Sequence, residues 1–340
     1  MRLLVTGGAG FIGSEFVRMT LRDHPDDSIV VLDKLTYAGN ERNLDSVRAD
    51  KRFRFVRGDI CDQATVRQLV AEVDVIVNFA AESHVDRSLE APGQFILTDV
   101  YGIFVLMDAA REHAHQRFLQ VSTDEVYGDV ATGMSVEGDP LRPRSPYSAS
   151  KAGGELQVQA YRSSYGFPAI VTRGSNTYGP FQYPEKIIPL FITNAIDDRP
   201  LPIYGDGGAV RDYLYVEDHV RGIDTALRHG EPGLDYNVGA GGETDGVTVA
   251  DTVLRLLGKP ASLKQFVRDR LGHDRRYAVD STRLTGLGWR PTLSFEAGME
   301  RTVAWFVEHE EWWRPLKSGE FWEFYQRNYQ PAAEPRAATS

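Results

Sequence analysis

The chain begins with a short apolar strand that runs into a glycine-rich turn and then a helix. The strand is predicted over residues 3–6 and the helix from residue 14 to about 22. The turn between them contains Gly7, Gly8, Gly10 and Gly13. Glycines at this junction allow a tight turn and a close backbone approach to a pyrophosphate, which helix N-terminal amides can bind. Because the spacing departs from GxGxxG, an ordinary glycine-rich turn is the alternative for this stretch alone.

A second apolar strand ends in an acidic residue, Asp33, twenty positions after Gly13. A carboxylate at this position accepts hydrogen bonds from adenosine ribose hydroxyls and repels a 2′-phosphate, which favours NAD over NADP. The adjacent Lys34 weakens that preference slightly. Together the turn and Asp33 predict a dinucleotide-binding α/β fold, with a Rossmann-type doubly wound parallel sheet.

Two further strands are predicted over residues 53–60 and 74–81, with a helix over residues 62–72 between them. Asp59 lies at the end of the first, near an adenine edge. The second ends in Ala80 and Ala81, whose small side chains would let a cofactor lie against the backbone. His84 follows, where it either faces a substrate or serves as a loop or capping residue. A long helix is predicted over residues 90–113.

The stretch 122–128, Ser-Thr-Asp-Glu-Val-Tyr-Gly, follows a strand predicted over residues 116–121. It therefore lies at the carboxyl end of a strand, where open α/β sheets bind their ligands. Successive strand residues point to opposite faces, so Asp124 and Glu125 share a pocket only if the strand has already turned. The alternative is a polar strand end that caps a loop.

A second polar stretch begins a helix. Ser145 is a helix cap and Pro146 suits the first turn, which places Tyr147 and Lys151 four residues apart on one helical face. A phenol with a pKa of about 10 is a poor base at neutral pH. A nearby ammonium group favours the phenolate, as would a nicotinamide cation. After a dinucleotide fold and a strand-end Thr123, this pair indicates hydride-transfer chemistry.

The regular alternation of strands and helices breaks down after a strand at residues 169–173 and a loop at 174–180, so the substrate part is expected there. Candidates for a diphosphate clamp are the cations Lys186, Arg211, Arg270 and Arg275, each of which alone would be a solvated charge. Tyr204 is expected to stack on a base. The aromatic stretch 301–313 is expected to pack in a core.

Composition limits the functional classes. The formal charge of −10 argues against a nucleic-acid or membrane-surface role, and the single cysteine suits a reducing cytoplasm. No apolar run approaches the ~20 residues of a membrane span. Glycines from Gly7 onward interrupt the apolar N-terminal run, which therefore predicts a strand and not a signal peptide. The Ala- and Pro-rich tail 331–340 is expected to be disordered.

These stretches resemble the extended short-chain dehydrogenase/reductases that act on nucleotide sugars, and among them the sugar-nucleotide 4,6-dehydratases. The resemblance covers residue 1 to about 329. It rests on residues 6–13, 33–40, 80–88, 122–128, 147–151, 183–186 and 272–277. Related epimerases share Thr123, Tyr147 and Lys151 but lack the adjacent acid pair, and decarboxylating relatives tend to keep the Glu without the Asp.

The resemblance implies an NAD-dependent enzyme that converts dTDP-glucose to dTDP-4-keto-6-deoxyglucose. The reaction comprises oxidation at C4, elimination of water across C5 and C6, and reduction at C6. Tyr147 would be the base at C4, assisted by Thr123 and Lys151, with Glu125 the base at C5 and Asp124 the acid for the C6 hydroxyl.

The same resemblance implies two sets of contacts. The cofactor-binding set is Gly7, Gly10, Phe11, Ile12, Gly13, Asp33, Lys34, Thr36, Asp59, Ile60, Ala80, Ala81, Ser83, Tyr147, Lys151 and Thr177. The substrate-binding set is Ser83, His84, Thr123, Asn176, Lys186, Pro202, Tyr204, Arg211, Asn237, Arg270 and His273. No metal site is expected. Thr177 stands where the family usually has an Asn that touches the nicotinamide side of NAD, which puts the local cofactor geometry in doubt.

The expected architecture is an NAD-binding domain over residues 1–180, joined by about 212–240, and a smaller α+β substrate-binding domain over 181–330. A cytoplasmic homodimer is implied. The alternatives are a UDP-glucose dehydratase, an epimerase or a decarboxylase, and more remotely a regulatory protein that senses NAD without turnover. The sequence does not decide between thymidine and uridine nucleotides.

Overall fold

The computed structural model describes residues 1–113, 115 and 117–329. At its centre is a seven-stranded sheet in which every neighbouring pair of strands is parallel. The strands of the described residues are β1 (Arg2–Thr6), β2 (Ser28–Asp33), β3 (Phe53–Arg57), β4 (Val75–Asn78), β5 (Arg117–Thr123), β6 (Ala169–Gly174), β7 (Asn176–Tyr178), β8 (Leu201–Tyr204), β9 (Val210–Arg211), β10 (Tyr213–Tyr215), β11 (Asp235–Val238), β12 (Thr244–Asp245) and β13 (Lys264–Val267).

The order of strands across the large sheet is β11-β6-β5-β4-β1-β2-β3. The chain runs outward from β1 in one direction through β2 and β3, and in the other through β4, β5 and β6. The direction of winding therefore reverses beside β1, and a crevice opens at the carboxyl ends of the strands there. The predicted doubly wound parallel sheet is confirmed.

Helices cover both faces of this sheet. The α-helices of the described residues, counted over the whole fold and not only over this sheet, are α1 (Phe11–Asp23), α2 (Gln63–Val70), α3 (Val85–Glu90), α4 (Pro92–Ile96), α5 (Ile103–Glu112), α6 (Pro146–Tyr165), α7 (Ile187–Ile196), α8 (Val216–His229), α9 (Gly246–Leu257), α10 (Thr282–Gly286), α11 (Phe295–Glu308), α12 (Glu310–Trp313) and α13 (Gly319–Asn328). One apolar layer joins the sheet to α1 and α8, and another joins it to α2, α5 and α6. Burial of both sheet faces explains why the strands read as nearly continuous apolar runs.

The helix expected over residues 90–113 is interrupted. Ala91 has φ −137° and ψ 61°, so α3 ends before it and α4 starts with Pro92 at its first turn. A residue before proline is pushed out of the helical region, which accounts for the break. A π-helical turn, Leu97–Gly102, joins α4 to α5.

The stretch Pro92–Glu112 is also long and apolar enough, by length and composition only, to cross a membrane. The expectation that no apolar run approaches that length is therefore wrong by this measure. Half of its most apolar window is buried inside the protein. Phe95, Ile103 and Leu106 are among its core residues.

The second half of the chain builds a smaller unit from short strand pairs. Strand β8 pairs with β13, β9 with β12, and β7 with β10. Its core includes Val303, Phe306, Trp312 and Trp313, so the aromatic stretch 301–313 packs in a core as predicted. The chain returns to the large sheet through α8 and β11, which pairs with β6. The tail 331–340 lies outside the described residues, and the domain boundaries stay a prediction.

Candidate active site

The glycine-rich turn brings β1 and α1 together under tight packing. Gly7 has φ +68°, and a side chain there would strike the backbone of Ala80 at the end of β4. Helix α1 begins at Phe11, and its N-cap, Gly10, offers no side chain to its first amides. Those amides therefore face the crevice without a capping group, which suits the anion site predicted from the sequence.

Asp33 closes β2 beside this turn. Its carboxylate accepts hydrogen bonds from the amides of Ala9 (2.9 Å) and Leu35 (2.8 Å). These bonds fix the carboxylate at the crevice, although burial raises its pKa. Lys34 forms an ion pair with Asp59 at 2.7 Å. The positive charge of Lys34 is therefore balanced by Asp59, so it does little to weaken the preference for NAD over NADP that Asp33 sets.

A cavity, which we call the sheet-edge cavity, follows the carboxyl ends of β1, β2, β4, β5 and β6. Every residue predicted to hold the cofactor lines it, from Gly7 in the first turn to Thr177 after β6. Thr123, Asp124 and Glu125 also line this cavity. The structure thus brings the two informative stretches of the sequence, 122–128 and 145–151, to one place.

The strand that carries the acid pair turns where the prediction required. Strand β5 ends at Thr123 and a 3-10 turn, Asp124–Tyr127, follows directly. The Thr123 hydroxyl caps this turn by accepting a hydrogen bond from the Glu125 amide at 3.3 Å. Gly128, with φ +77°, ends it. Because the backbone has left the extended conformation, both carboxyl groups reach the same cavity.

The two acids differ in their electrostatic surroundings. Asp124 is 2 % exposed, and its Oδ2 atom has no hydrogen-bond partner among the described residues. Burial and the charges of Glu125 and Asp212 raise its pKa well above the usual value. Burial also raises the pKa of Glu125, but Arg270, Arg211 and Lys186 oppose that shift. Asp124 therefore keeps a proton more readily, whereas Glu125 faces cations that stabilise its ionised form.

Helix α6 presents Tyr147 and Lys151 to the same cavity. The helix starts with a capping box, in which Ser145 and Ser148 exchange hydrogen bonds, and Pro146 lies in its first turn. Burial and the charges of Glu125 and Asp99 raise the pKa of Tyr147 well above its usual value, while a hydrogen bond with Thr123 lowers it. Ionisation of this phenol near neutral pH therefore calls for additional positive charge in the cavity.

A second cavity, which we call the cation-lined cavity, adjoins the first between the sheet and the smaller unit. Of the predicted substrate contacts, it is lined by Ser83, His84, Asn176, Lys186, Pro202, Tyr204, Arg211, Arg270 and His273. Ser83, Glu125, Asn176 and Lys186 line both cavities. A ligand that fills the cation-lined cavity therefore reaches Glu125 at the shared wall, whereas Asp124 lines only the sheet-edge cavity.

The polar side chains of the cation-lined cavity hold one another in place. Asp86 accepts a hydrogen bond from the Tyr204 hydroxyl at 3.0 Å and lies 3.7 Å from the Arg270 guanidinium. Lys186 donates to the Ser83 carbonyl. Burial and the charges of Lys186 and Arg270 hold the pKa of His84 well below its usual value, so this imidazole is neutral. His84 lines this cavity and is also the N-cap residue of α3, without a side-chain capping bond, so its position agrees with both predicted placements.

Two candidate residues lie elsewhere. Asn237 lines neither cavity: it is fully buried in β11, where its side chain accepts from the Tyr127 hydroxyl at 2.8 Å and donates to the carbonyls of Ser135 and Asp280. Arg275 is paired with Asp206 at the surface, at 2.9 Å, and also lines neither cavity. Both expectations differ from the structure because these side chains already have protein partners.

The residues at or next to the site that the sequence analysis did not predict include His219, Tyr329 and Asp99. His219 on α8 lines the sheet-edge cavity, and Tyr329 after α13 lines the cation-lined cavity, with its ring 5.4 Å from that of Tyr204. Asp99, on the π-helical turn, is fully buried and accepts a hydrogen bond from Ser150, the neighbour of Lys151, at 2.7 Å. None lies in a sequence motif, since each reaches the site through packing between distant segments.

A Rossmann-type sheet, with a tyrosine and a lysine on one capped helix beside a strand-end threonine, defines a short-chain dehydrogenase/reductase. A buried acid pair beside them distinguishes this site within that class. The family model described as GDP-mannose 4,6 dehydratase matches residues 4–302, and the chain belongs to this family.

Curated relatives and a solved structure are similar over nearly the whole chain. A dTDP-glucose 4,6-dehydratase of Actinoplanes sp. is 49 % identical, over 92 % of this chain and 100 % of its own. A low-salt glycan biosynthesis protein of Haloferax volcanii is 50 % identical with the same coverage. The crystal structure of a dTDP-glucose 4,6-dehydratase from Streptomyces venezuelae, with NAD bound, has a TM-score of 0.91 and 49 % identity, over 93 % of this chain and 100 % of that one.

Proposed function

We propose that this chain is an NAD-dependent lyase that dehydrates dTDP-glucose to dTDP-4-keto-6-deoxyglucose. The observation that carries the proposal is the acid pair Asp124 and Glu125, which lines the sheet-edge cavity together with Tyr147 and Lys151, with Glu125 also lining the cation-lined cavity. The dTDP-glucose 4,6-dehydratases of Actinoplanes and Streptomyces support this choice of reaction. An epimerase or a pure dehydrogenase has no need of an acid and a base beyond the tyrosine.

The residues of the sheet-edge cavity fit NAD. Gly7 allows the turn to pack directly against the Ala80 backbone, the first amides of α1 suit a pyrophosphate, and Asp33 suits the ribose hydroxyls. When bound, NAD would supply a hydride acceptor and donor, and a positive charge near Tyr147. The cofactor-binding set listed above is proposed in full, with Tyr147, Lys151 and Thr177 at the reactive end.

At C4 the task of the protein is to remove the hydroxyl proton. The Tyr147 phenolate takes this proton, and Thr123 holds the hydroxyl by hydrogen bonding. Lys151 is fixed by its hydrogen bond to the Val121 carbonyl at 2.9 Å, on the same helix as Tyr147. The ketone that forms at C4 acidifies the neighbouring C5–H bond.

At C5 and C6 the acid pair completes the elimination. Glu125 takes the C5 proton as the C5–C6 double bond forms, and Asp124 gives its proton to the departing C6 hydroxyl, which leaves as water. Glu125 returns its proton to C5 when C6 is reduced. Tyr147 then holds one proton more than at the start and Asp124 one fewer, so exchange with solvent restores both groups.

The cation-lined cavity is proposed to hold the rest of the substrate. Lys186, Arg211 and Arg270 face the acidic diphosphate in a protein whose formal charge is −10. Ser83, His84 and Asn176 contact the sugar, and Pro202, Tyr204 and His273 the nucleoside. Asn237 is left out of the set because it is enclosed in the sheet.

Product analysis tests the proposal. The protein is incubated with NAD and either dTDP-glucose or UDP-glucose, and products are identified by mass and NMR. Loss of one water with a new 4-keto-6-deoxy sugar from dTDP-glucose is expected. Preference for UDP-glucose would change only the assigned nucleotide. A product of unchanged mass with inverted C4 would make the chain an epimerase, and absence of any product would remove the proposed activity.

Exposed apolar residues on neighbouring helices support a homodimer as part of this proposal. Leu89, Ile96 and Leu97 on the α3–α5 stretch, and Leu156 and Tyr165 on α6, are each at least 42 % exposed. The two helical stretches pack side by side, so a second copy related by twofold symmetry would bury both and form a four-helix bundle. A monomeric mass by light scattering at micromolar concentration would refute it.

We also propose the division into an NAD-binding part, residues 1–180 with about 212–240, and a substrate-binding part, 181–330. The return of β11 to the large sheet supports it. The single cysteine is compatible with the cytoplasm as the place of action.

A further inference from the structure

Thr177 and His219 meet in a hydrogen bond at the wall of the sheet-edge cavity. The Thr177 Oγ1 atom lies 2.7 Å from Nδ1 of His219, and both residues line this cavity. His219 lies in the first half of α8 and is 2 % exposed. The mechanism above uses neither side chain for proton transfer, so their purpose is open.

The direction of this hydrogen bond follows from counting protons. A threonine hydroxyl has one proton, and that of Thr177 is donated to the Ser175 carbonyl at 3.1 Å. With that proton used, Oγ1 accepts from His219, and on this basis we assign the imidazole proton to Nδ1. Burial lowers the pKa of His219 to about 4, so the ring carries only this one proton near neutral pH. The Nε2 atom is consequently a bare acceptor.

That acceptor has no partner among the described residues. The ring edge with Cε1 and Nε2 lies directly over Gly174, where any side chain would overlap it. Gly174 also lines the cavity and lies opposite Thr123 in the β5–β6 register. The acceptor is therefore buried at the end of the cavity that holds Thr123, and burial without a donor is costly.

We propose that His219 Nε2 accepts a hydrogen bond from the carboxamide N–H of the NAD nicotinamide, with Thr177 fixing the imidazole tautomer. The inference rests on the proposed cofactor and reaction, which place the nicotinamide ring beside Thr123 and Tyr147. The carboxamide is the only N–H donor that this ring carries. A carboxamide held in this way fixes the nicotinamide ring in one rotamer about its bond to the NAD ribose, and so fixes which face of the ring is turned toward the substrate.

Cofactor analogues separate this bond from general binding. In 3-acetylpyridine adenine dinucleotide an acetyl group replaces the carboxamide, so the N–H donor is lost while the shape is kept. The dissociation constants of NAD and of this analogue are measured calorimetrically for the full chain. The native protein is expected to bind NAD about tenfold more tightly than the analogue. In His219→Phe the preference is expected to fall below about twofold.

Matched variants exclude a merely structural effect. His229→Phe, at the exposed end of the same helix, should keep the preference for NAD. Thr177→Val should reduce the preference because the imidazole is then free to exchange tautomers, and Thr177→Ser should restore it. Equal preference in native protein and His219→Phe would overturn the inference. Failure of native protein to bind NAD would instead overturn the proposed cofactor, and the inference with it.

A measurement on native protein covers the case in which His219→Phe does not fold. In ¹⁵N NMR, His219 should show the Nδ1–H tautomer without ligand. Its Nε2 resonance should shift when NAD binds and stay near its free position with the acetylpyridine analogue. The opposite tautomer, or the same shift with both ligands, would refute the proposed bond.

Discussion

The side-chain amine of Lys151 donates a hydrogen bond of 2.9 Å to the backbone carbonyl of Val121, two residues before Thr123. This bond ties helix α6 to the end of β5. The same strand therefore positions Tyr147 and Lys151, proposed for hydride transfer, and Asp124 and Glu125, proposed for elimination. Substitutions that remove one of these pairs and keep the Lys151–Val121 hydrogen bond should separate oxidation at C4 from elimination across C5 and C6.

Tyr147→Phe removes the hydroxyl that takes the C4 proton and should abolish product formation, since no ketone forms without a base. A loss of at least about 10²-fold is expected for dTDP-glucose turnover. Tyr161→Phe is the matched control, because Tyr161 lies on the same helix but lines neither cavity. Turnover at the native rate in Tyr147→Phe would exclude this tyrosine as the base.

Glu125→Gln should block the second half of the reaction and leave the first intact. Tyr147, Lys151 and Thr123 are unchanged, so oxidation at C4 should proceed while the C5 proton stays in place. Absorbance of reduced nicotinamide should rise in a single turnover and persist, and deuterium from solvent should not enter C5. Deuterium incorporation at the native rate would assign the C5 base to another residue.

Asp124→Asn keeps the shape of the side chain and removes the proton that leaves with the C6 hydroxyl. Dehydration should slow by roughly 10²–10⁴-fold, the usual contribution of general acid catalysis. Deuterium exchange at C5 should survive if elimination is stepwise, since Glu125 is intact. Native-rate dehydration by the double variant, with Glu125→Gln, would show that this pair is only a polar strand end.

Asp33→Ala should relax the choice between NAD and NADP. The carboxylate that accepts from the Ala9 and Leu35 amides is also the group that repels a 2′-phosphate. The dissociation constant of NADP divided by that of NAD should fall by about tenfold or more, and NAD itself should bind more weakly. Thermal unfolding of the variant checks that the turn is still folded. Strong NADP binding by the native protein would contradict the ribose assignment.

Lys317 predicts a pH dependence of stability that is separate from catalysis. Its amine donates to Asn194 Oδ1 at 2.8 Å, and burial lowers its pKa from 10.5 to about 7. Between those two values the unfolded chain binds the proton and the folded chain does not. The free energy of unfolding should therefore rise with pH across this window, by at most about 1.4 kcal/mol per pH unit from this group.

Lys317→Met isolates that contribution, because other groups also titrate over this range. Urea unfolding of native protein and variant is compared at pH 7 and pH 9.5. The native protein should gain stability relative to the variant as the pH rises. An unchanged difference between the two proteins would mean that Lys317 keeps an ordinary pKa when folded.

The sequence was most informative where function depends on a local backbone shape. Gly7, Asp33 and Thr123 lie at strand ends, and their spacing along the chain alone places them at one edge of a parallel sheet. Similarly, Ser145 and Pro146 specify the start of α6 and hence the face that carries Tyr147 and Lys151. These features are local, so the structure reproduces them.

The sequence was least informative where a side chain has a choice of partners. Asn237 matched a substrate position by resemblance, but it lies within β11 and is saturated by Tyr127, Ser135 and Asp280. His219 looks like an ordinary helical histidine until α8 packs against Gly174. Such outcomes depend on contacts between segments far apart in sequence, which no spacing rule contains.

The wall shared by the two cavities has a consequence for how such enzymes can diversify. Ser83, Glu125, Asn176 and Lys186 are the described residues that border both. Tyr204 and His273 line only the cation-lined cavity, whereas Asp124, Tyr147 and Lys151 line only the sheet-edge cavity. Under the proposed function, substitution of Tyr204 or His273 changes the nucleoside side of the site without replacing any residue proposed to transfer a proton.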